Sequence, residues 1–487
     1  MTRGVARVGE TYRFMTYDPK AVGDMPTIHI EVVETSSLGD RSYLAHDGRD
    51  ALVVDPQRDI DRFLALAGRL DVRITHVAET HVHNDYVSGG LALARATGAA
   101  YLVAAADDVK FDRVNVADGD EIAVSETMRV RAVATPGHTF NHLSYIVSGP
   151  AGPEGVFTGG SLLFGTTGRT DLLGPEHAHP LAHRQHMSAR RLADLLPDGA
   201  HIWPTHGFGS FCSAGQSDAT ASTIGQEKRA NPVLRLEADD FVTQTLDGLD
   251  AYPAYYAHMG VRNTAGPDLI DLTPARTADA AELHERVTAG EWVVDLRSRK
   301  AFAQRHLAGT LSFGLDGPMS TWLGWMADWD APLTLLGESR EQVAAAQREL
   351  ARIGIDRPAA AASGTPREWA AGDATRLGEL AVASFADLAA ARAGNAPGHL
   401  PAADVVLDVR LRGEWQAGHI DGAVHVPLPD LPHRLHEVPD GTVWVHCGAG
   451  YRAAAASSLL RRAGRRVVHI DDAFGNAEDA GLHFAGH

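Results

Sequence analysis

Short apolar runs punctuate the first half of the chain. Ile28–Val33, Ala51–Val54, Ile74–Val77, Ala100–Val103 and Val130–Val133 are rich in Val, Ile and Ala and bounded by turn residues, which predicts strands. A few helical patterns interleave with them, so the stretch to Pro253 reads as mixed α/β. At Asn263–Pro267 the pattern breaks into a polar, Gly/Pro-containing stretch, which is expected to be a linker. Beyond it the pattern repeats. "VVDLRSRKAFAQRHLAGT" (Val293–Thr310) matches "VLDVRLRGEWQAGHIDGA" (Val406–Ala423). Asp295, Arg297, Arg299, His306 and Gly309 map onto Asp408, Arg410, Arg412, His419 and Gly422, all at an offset of 113. Two strand–helix–strand units of about 110 residues are two small α/β domains, because solenoid periods run about 20–50 residues.

The expected organisation is therefore three domains: 1–265 with a core at 28–250, 266–375, and 380–487, the last boundary falling near Ala371–Ser384. Hydrophobic residues at 44% and charged residues at 22% of 487 are ordinary for globular protein, which excludes long disordered or fibrous stretches. The net charge of −18 disfavours a nucleic-acid partner, since phosphates need a basic surface. Met1–Thr27 lacks the apolar core of a secretory signal, and apolar runs such as Ala99–Ala106 are too short to span a membrane. The two cysteines, Cys212 and Cys447, are too few for a disulfide framework. A cytoplasmic protein without membrane attachment is expected, with homo-oligomer formation left open.

"TVWVHCGAGYRAAAASSLL" reads as a buried strand, a tight loop and an Ala-rich helix, with Cys447 where strand gives way to loop. Gly448, Ala449, Gly450 and Tyr451 lead to Arg452 at the helix start. Successive amides, a helix N-terminus and a guanidinium then surround the sulfur, a setting that stabilises a thiolate or an anion carried on it. Cys447 and Arg452 are the catalytic candidates. In the first repeat, aligning "LARIG" (Leu350–Gly354) with "LRRAG" (Leu460–Gly464) sets Gly337 opposite Cys447. The loop "GESREQ" there has no nucleophile, so a non-catalytic copy for packing or docking is expected.

Histidines crowd the turns after the N-terminal strands. "THVHNDYVSGG" (Thr80–Gly90) carries His81 and His83 one residue apart, followed by Asp85. "ATPGHTFNHLSY" presents His138, and "WPTHGFGSFC" presents His206. Imidazoles at several strand ends are a candidate ligand set for one metal ion, with His81, His83 and His138 foremost. His76, His142, His177 and His179 read as structural, as does Cys212.

These motifs carry two resemblances. "DVR…EW…GHI.GA" (Asp408–Ala423) with the six-residue Cys447–Arg452 loop resembles the rhodanese (sulfurtransferase) family. That implies a persulfide sulfur on Cys447, held by loop amides; phosphatases of the same fold use a loop one residue longer. The histidine pattern over residues 28–250 resembles the metallo-β-lactamase fold, and within it the persulfide dioxygenases related to glyoxalase II. Supporting motifs are "TPGHT", "FTGGSLL", "GRTDL" and "STIGQEKRAN". The resemblance implies an αββα sandwich followed by two rhodanese-like α/β domains.

It also implies one iron(II) held by His81, His138 and a carboxylate, with zinc(II) left open. Two positions depart from the family pattern. Gly160 stands where the carboxylate is expected, and Tyr86 where a second metal's histidine is expected. Three arrangements follow: a replacement carboxylate from Asp85 or Asp171, a three-histidine site of His81, His83 and His138 with His206 as a spare donor, or a scaffold without metal. Gly160→Asp is expected to raise iron occupancy. The expected function is oxidation of a low-molecular-weight thiol persulfide to sulfite, coupled to sulfane-sulfur transfer through Cys447, with sulfite or thiosulfate as partners. The alternatives are a zinc-dependent, glyoxalase II-like thioester hydrolase fused to a sulfurtransferase, and a metal-free binding module with one active rhodanese.

Overall fold

The structure, a computed structural model, describes residues 28–485. The signal-peptide reading of Met1–Thr27 lies outside them. Contacts divide the chain into two units. One runs to Leu249 and takes up Tyr256–Leu269; the other holds Asp250–Tyr255 and the chain from Ile270.

The first unit is built on two six-stranded sheets. One joins β1 (His29–Thr35), β2 (Asp40–His46), β3 (Asp50–Val54), β4 (Arg73–Ala78), β5 (Ala100–Ala104) and β6 (Val114–Val116) in chain order. The other joins β7 (Glu121–Ala123), β8 (Arg129–Ala134), β9 (Leu143–Gly149), β10 (Gly152–Gly159), β11 (His201–Pro204) and β12 (Ser222–Thr223). Strand periodicity sorts side chains between layers. In β3, Leu52 and Val54 enter the core between the sheets with Tyr43, Tyr145 and Phe157, whereas Ala51 and Val53 face the helices Asp61–Leu70 and Gly90–Thr97. The helix Pro175–Leu195 covers the opposite sheet through Ala182, Ala189 and Leu192. Three apolar layers between four structural ones make the expected αββα sandwich. Strands β3 to β6 run parallel, as do β10 and β11, and the loops leaving β4, β8 and β11 carry the histidine motifs.

The expected linker at Asn263–Pro267 is largely helix. Asn263 lies in the helix Tyr256–Ala265 and is buried, donating to the carbonyls of His83 and Tyr86 and accepting from the Ser88 amide at 2.9 Å each. A polar Asn–Thr pair ahead of Gly and Pro looked like a linker in the sequence because its hydrogen-bond partners lie about 180 residues away in the chain.

The second unit repeats one topology. Parallel β13 (Trp292–Asp295), β15 (Leu311–Ser312), β16 (Leu333–Gly337) and β17 (Ala360–Ser363) form one sheet, and β14 (His306–Leu307) pairs with β18 (Leu377–Gly378). The second copy arranges β19 (Ala381–Ala383), β20 (Val405–Asp408), β22 (Val424–His425), β23 (Thr442–His446) and β24 (Arg466–Ile470) alike. Its β21 (His419–Ile420) pairs with β25 (Phe484–Ala485). Register settles the alignment of the loops: Asp295 pairs with Leu336 and Asp408 with His446, so Gly337 stands where Cys447 does. Among the described residues no helix is long and apolar enough to cross a membrane.

Candidate metal centre and sulfur-carrying loop

In the first unit the loops after β4, β8 and β11 bring His81, His83, His138, His142 and His206 into one buried cluster. Ring centroids of His81 lie 4.1 Å from His83, 4.8 Å from His138, 4.9 Å from His142 and 5.3 Å from His206. Nitrogens of His81, His83 and His206 lie within 4.8 Å of one another, as do ligand atoms of His138, His206 and Cys212. His206 is thus a central member of the set rather than a spare donor.

Proton bookkeeping fixes the tautomers. The Arg169 carbonyl can only accept, so His138 Nδ1, at 2.7 Å from it, carries the proton and Nε2 keeps its lone pair. Thr80 Oγ1 donates to Asp55 at 2.7 Å, so its 2.9 Å contact with His81 Nδ1 must be accepted from the ring. His206 Nδ1 donates to Asp40 at 2.9 Å and meets Asp85 at 3.2 Å. His83 Nε2 faces Asp55 at 3.2 Å, Glu79 at 3.3 Å and Tyr86 Oη at 3.0 Å. These contacts leave lone pairs on His81 Nε2, His83 Nδ1, His138 Nε2 and His206 Nε2. His83 Nδ1 and His138 Nε2 are buried with no hydrogen-bond partner, and the Nε2 atoms of His81 and His206 face each other at 3.4 Å. Buried lone pairs without donors are costly, and rings pinned through the other nitrogen are the usual setting of metal-bound histidine. The donor set fits a metal ion held by imidazoles.

Electrostatics agree with that fit. Burial drives His138 down to about 3 and His81 well below its ordinary value, which keeps both in the neutral, ligating form. Burial also opposes charge on His83 and His206, but Asp55 and Glu79 raise the first to about 10, and Asp85 with Asp40 raises the second to about 9. Carboxylates that favour an imidazolium equally favour a cation on that ring.

The two-histidine, one-carboxylate set does not fit. A Cβ at Gly160 would lie 2.6 Å from His138 Cγ and 2.9 Å from its Nε2, so the ring occupies the space a carboxylate ligand needs. Gly168 flanks the same ring, 2.6 Å from Nδ1 on the same construction. Gly160→Asp must therefore displace His138, and the expectation that it raises iron occupancy is withdrawn. Asp171 is no replacement ligand, because Arg169 holds it through two hydrogen bonds of 2.7 and 2.8 Å. Asp85 does reach the cluster, beside Asp40 and His206. Tyr86 donates to the Asp55 carbonyl and seals the far side of His83.

Other cluster members were not legible as such. His142, read as structural, is buried against His81, but both its nitrogens are engaged, by the Gly160 amide at 3.0 Å and Thr135 Oγ1 at 2.9 Å. Asp40, Asp55 and Glu79 carry no motif of their own. The faint signal for Glu79 and Asp55 was a carboxylate at the end of a buried strand. Cys212 is buried beside His138 and His206, its thiol pushed well up by burial.

In the second unit Cys447 is 2% exposed at the end of β23, and its Sγ accepts the Gly450 amide at 3.2 Å. Gly450 adopts a φ of 92° and caps the helix Tyr451–Arg462 without any side-chain bond, which leaves the helix start open toward the sulfur. Arg452 does not point freely at the loop: Glu414 binds it at 2.5 and 2.7 Å, and its guanidinium lies 5.5 Å from the Trp322 ring centroid. Trp322 belongs to the Cys-less copy, as does Gly314, whose carbonyl accepts from Tyr451 Oη at 3.0 Å. That copy thus packs directly on the Cys447 loop.

Comparison with known proteins places both units. Residues 390–477 match the rhodanese-like domain family. Human mitochondrial persulfide dioxygenase ETHE1 is 28% identical over 210 residues, 43% of this chain and 74% of that one. A hydroxyacylglutathione hydrolase of Pseudomonas putida (strain W619) is 30% identical over 207 residues, 39% of this chain and 79% of that one. A crystal structure of a metallo-β-lactamase from Staphylococcus aureus subsp. aureus COL superposes with a TM-score of 0.62 at 28% identity. It covers 69% of this chain and 99% of that chain, more of this chain than the first unit contains. A sandwich of this topology, a histidine cluster at these strand ends and identity at this level lead to one conclusion: the chain belongs to the metallo-β-lactamase-fold family of hydroxyacylglutathione hydrolases and persulfide dioxygenases, joined here to a rhodanese domain.

Proposed function

We propose that this protein metabolises sulfane sulfur, the first unit oxidising the terminal sulfur of a low-molecular-weight thiol persulfide and Cys447 carrying sulfur in the second. The observation that carries this reading is Cys447 itself, a thiol at an uncapped helix start with a loop amide aimed at its sulfur. An anion formed there is met by amides rather than by water. The thiolate attacks the sulfane sulfur of a persulfide, R–S–SH; the S–S bond breaks, R–S⁻ leaves with the electron pair, and Cys447 keeps the sulfur as its own persulfide.

In the first unit the net change takes one persulfide, one dioxygen and one water to thiol, sulfite and two protons. A metal held by imidazoles supplies a Lewis acid and, as iron, a path for electrons to dioxygen. His81, His83, His138 and His206 present the lone pairs, while Thr80, Arg169 and Asp40, with Asp55 and Glu79 behind His83, keep the rings from turning. Their burial keeps bulk water from competing for those nitrogens.

Elemental analysis of anaerobically purified protein, paired with oxygen uptake on glutathione persulfide and sulfur transfer to cyanide, tests the reading. Near-stoichiometric iron, uptake of oxygen, and transfer that Cys447→Ser abolishes are expected. Bound zinc with no oxygen uptake moves the first unit to a thioester hydrolase. Transfer that survives Cys447→Ser ends the role of Cys447.

A further inference from the structure

Backbone hydrogen bonds bring Cys212 to the histidine cluster. After His206 the chain turns at Gly207 and Gly209, with φ of 125° and 96°, and the Cys212 amide donates to Ser210 Oγ at 3.2 Å. The chain then runs back along the loop that follows β10. Gly168 bridges Ser213, the Ala214 amide donates to the Thr167 carbonyl at 2.9 Å, and the Arg169 amide donates to the Cys212 carbonyl at 2.8 Å. The Arg169 guanidinium reaches the Phe211 carbonyl at 3.2 Å, and the Arg169 carbonyl holds His138 Nδ1. One residue thus ties the thiol and the imidazole to the same short ladder. The thiol is wholly buried, and its sulfur and the ligand atoms of His138 and His206 lie within 4.8 Å of one another. His138 Nε2 is buried there without a hydrogen-bond partner. A cysteine kept only for packing sits among apolar side chains, whereas this one stands beside two imidazoles, Asp85 and Asp40.

We infer that Cys212 is the anionic ligand of the metal centre, joining His138 and His206 to hold a thiophilic divalent ion in place of the carboxylate that position 160 cannot carry. The inference rests on the reading of this cluster as a metal centre and extends it. Neutral imidazoles leave the charge of a dication uncompensated, and the His138 ring occupies the space of a carboxylate at 160. The carboxylates nearby are turned elsewhere: Asp40 and Asp85 face His206 Nδ1, and Asp55 and Glu79 face His83 Nε2. A thiol within reach of the ion gives up its proton to solvent as the ion binds, and the resulting thiolate offsets one of the two charges. Imidazole with thiolate is a donor set for zinc(II) and iron(II). Magnesium and manganese prefer oxygen ligands, so the same set discriminates against them.

The test is X-ray absorption at the zinc edge on the full chain carrying Cys447→Ser, which leaves Cys212 as its one thiol. The protein is loaded with equimolar zinc, with oxygen, persulfides and thiol reductants excluded. A sulfur at about 2.3 Å from the metal, beside nitrogens at about 2.0–2.1 Å, is expected. Adding Cys212→Ala removes the sulfur shell and weakens zinc binding at least about tenfold, read by competition with a chromophoric chelator. A shell of nitrogen and oxygen alone, or a sulfur shell that persists in Cys212→Ala, overturns the inference and leaves the imidazole centre standing. Failure of the wild-type chain to bind either zinc or iron(II) overturns the metal-centre reading itself, a separate result. If Cys212→Ala does not fold, the Cys447→Ser spectrum decides alone, because no other thiol can supply the sulfur.

Discussion

The two copies in the second unit share their frame and part company at one loop. Each closes a buried Asp–Arg fork: Asp295 with Arg297 and Asp408 with Arg410, both at 2.6 Å. Each arginine also donates to a carbonyl eight residues on, of Arg305 at 2.7 Å and Gly418 at 2.8 Å. Each stacks a histidine on an aromatic ring, His306 on Phe302 and His419 on Trp415. The loops diverge because of what caps the helix that follows. In the Cys-less copy Ser339 accepts from the Gln342 amide, and the Gln342 side chain accepts from Glu338 N and donates to the Leu296 carbonyl. In the other copy no side chain does so, and a sulfur takes the place. Frame and candidate site are therefore separable here: the fork and stack are common to both copies, and an unfilled helix start together with a thiol is found in one.

The largest effect comes from exchanging the loops. In a Cys447→Ser background, which is expected to lose sulfur transfer by about a thousandfold, Gly337→Cys gains none. Its thiol finds the amides already taken by Ser339 and Gln342. Adding Ser339→Gly is expected to raise the alkylation rate of the grafted thiol about tenfold. Sulfur loading on Gly337→Cys alone would break the comparison.

The next effect tests the shared frame. Asp408→Asn leaves a buried guanidinium without its charge partner, at a cost of about 3 kcal/mol in denaturant unfolding. Asp295→Asn is expected to cost less, because burial already disfavours the charge on that carboxyl, and an equal loss would remove the difference between the forks.

The smallest effect distinguishes the forks by acid. Burial raises the Asp295 carboxyl above its usual range in spite of Arg297. Burial also acts on Asp408, but His446, Arg410 and the Arg410 amide outweigh it and hold the carboxyl low. Stability from Asp408 is present above its unfolded value and is lost as pH falls through the folded one. Asp295 has the opposite sign, gaining as pH falls through its raised value. Acidification is expected to lower the hydrogen-exchange protection factors in β20 more than those in β13, and an equal response would remove the distinction.

Legibility followed the range of the interactions. The strands, the 113-residue offset and the Cys447 loop were readable because short Val- and Ile-rich runs, repeated residues and Gly-flanked thiols are local signals. Gly160 was readable as a departure, but its consequence was not, because the space it leaves is filled by a ring from another loop. Asp40 and Asp55 stayed hidden for the same reason: each supports an imidazole loop whose sequence distance exceeds any motif. The linker reading failed at Asn263 because a polar residue in a short helix looks alike whether it meets water or a buried loop.

The slot around His138 limits what a substitution can do. With Gly160 on one side and Gly168 on the other, the ring rests where a side chain at either position would have to go. Placing a carboxylate at 160 is then not a matter of one substitution, since the ring must first find another seat while its Nδ1 bond to the Arg169 carbonyl holds it in place. The two glycines and the imidazole are therefore interdependent: any side chain added at 160 or 168 is felt first by the ring, before it is felt anywhere else in the cluster.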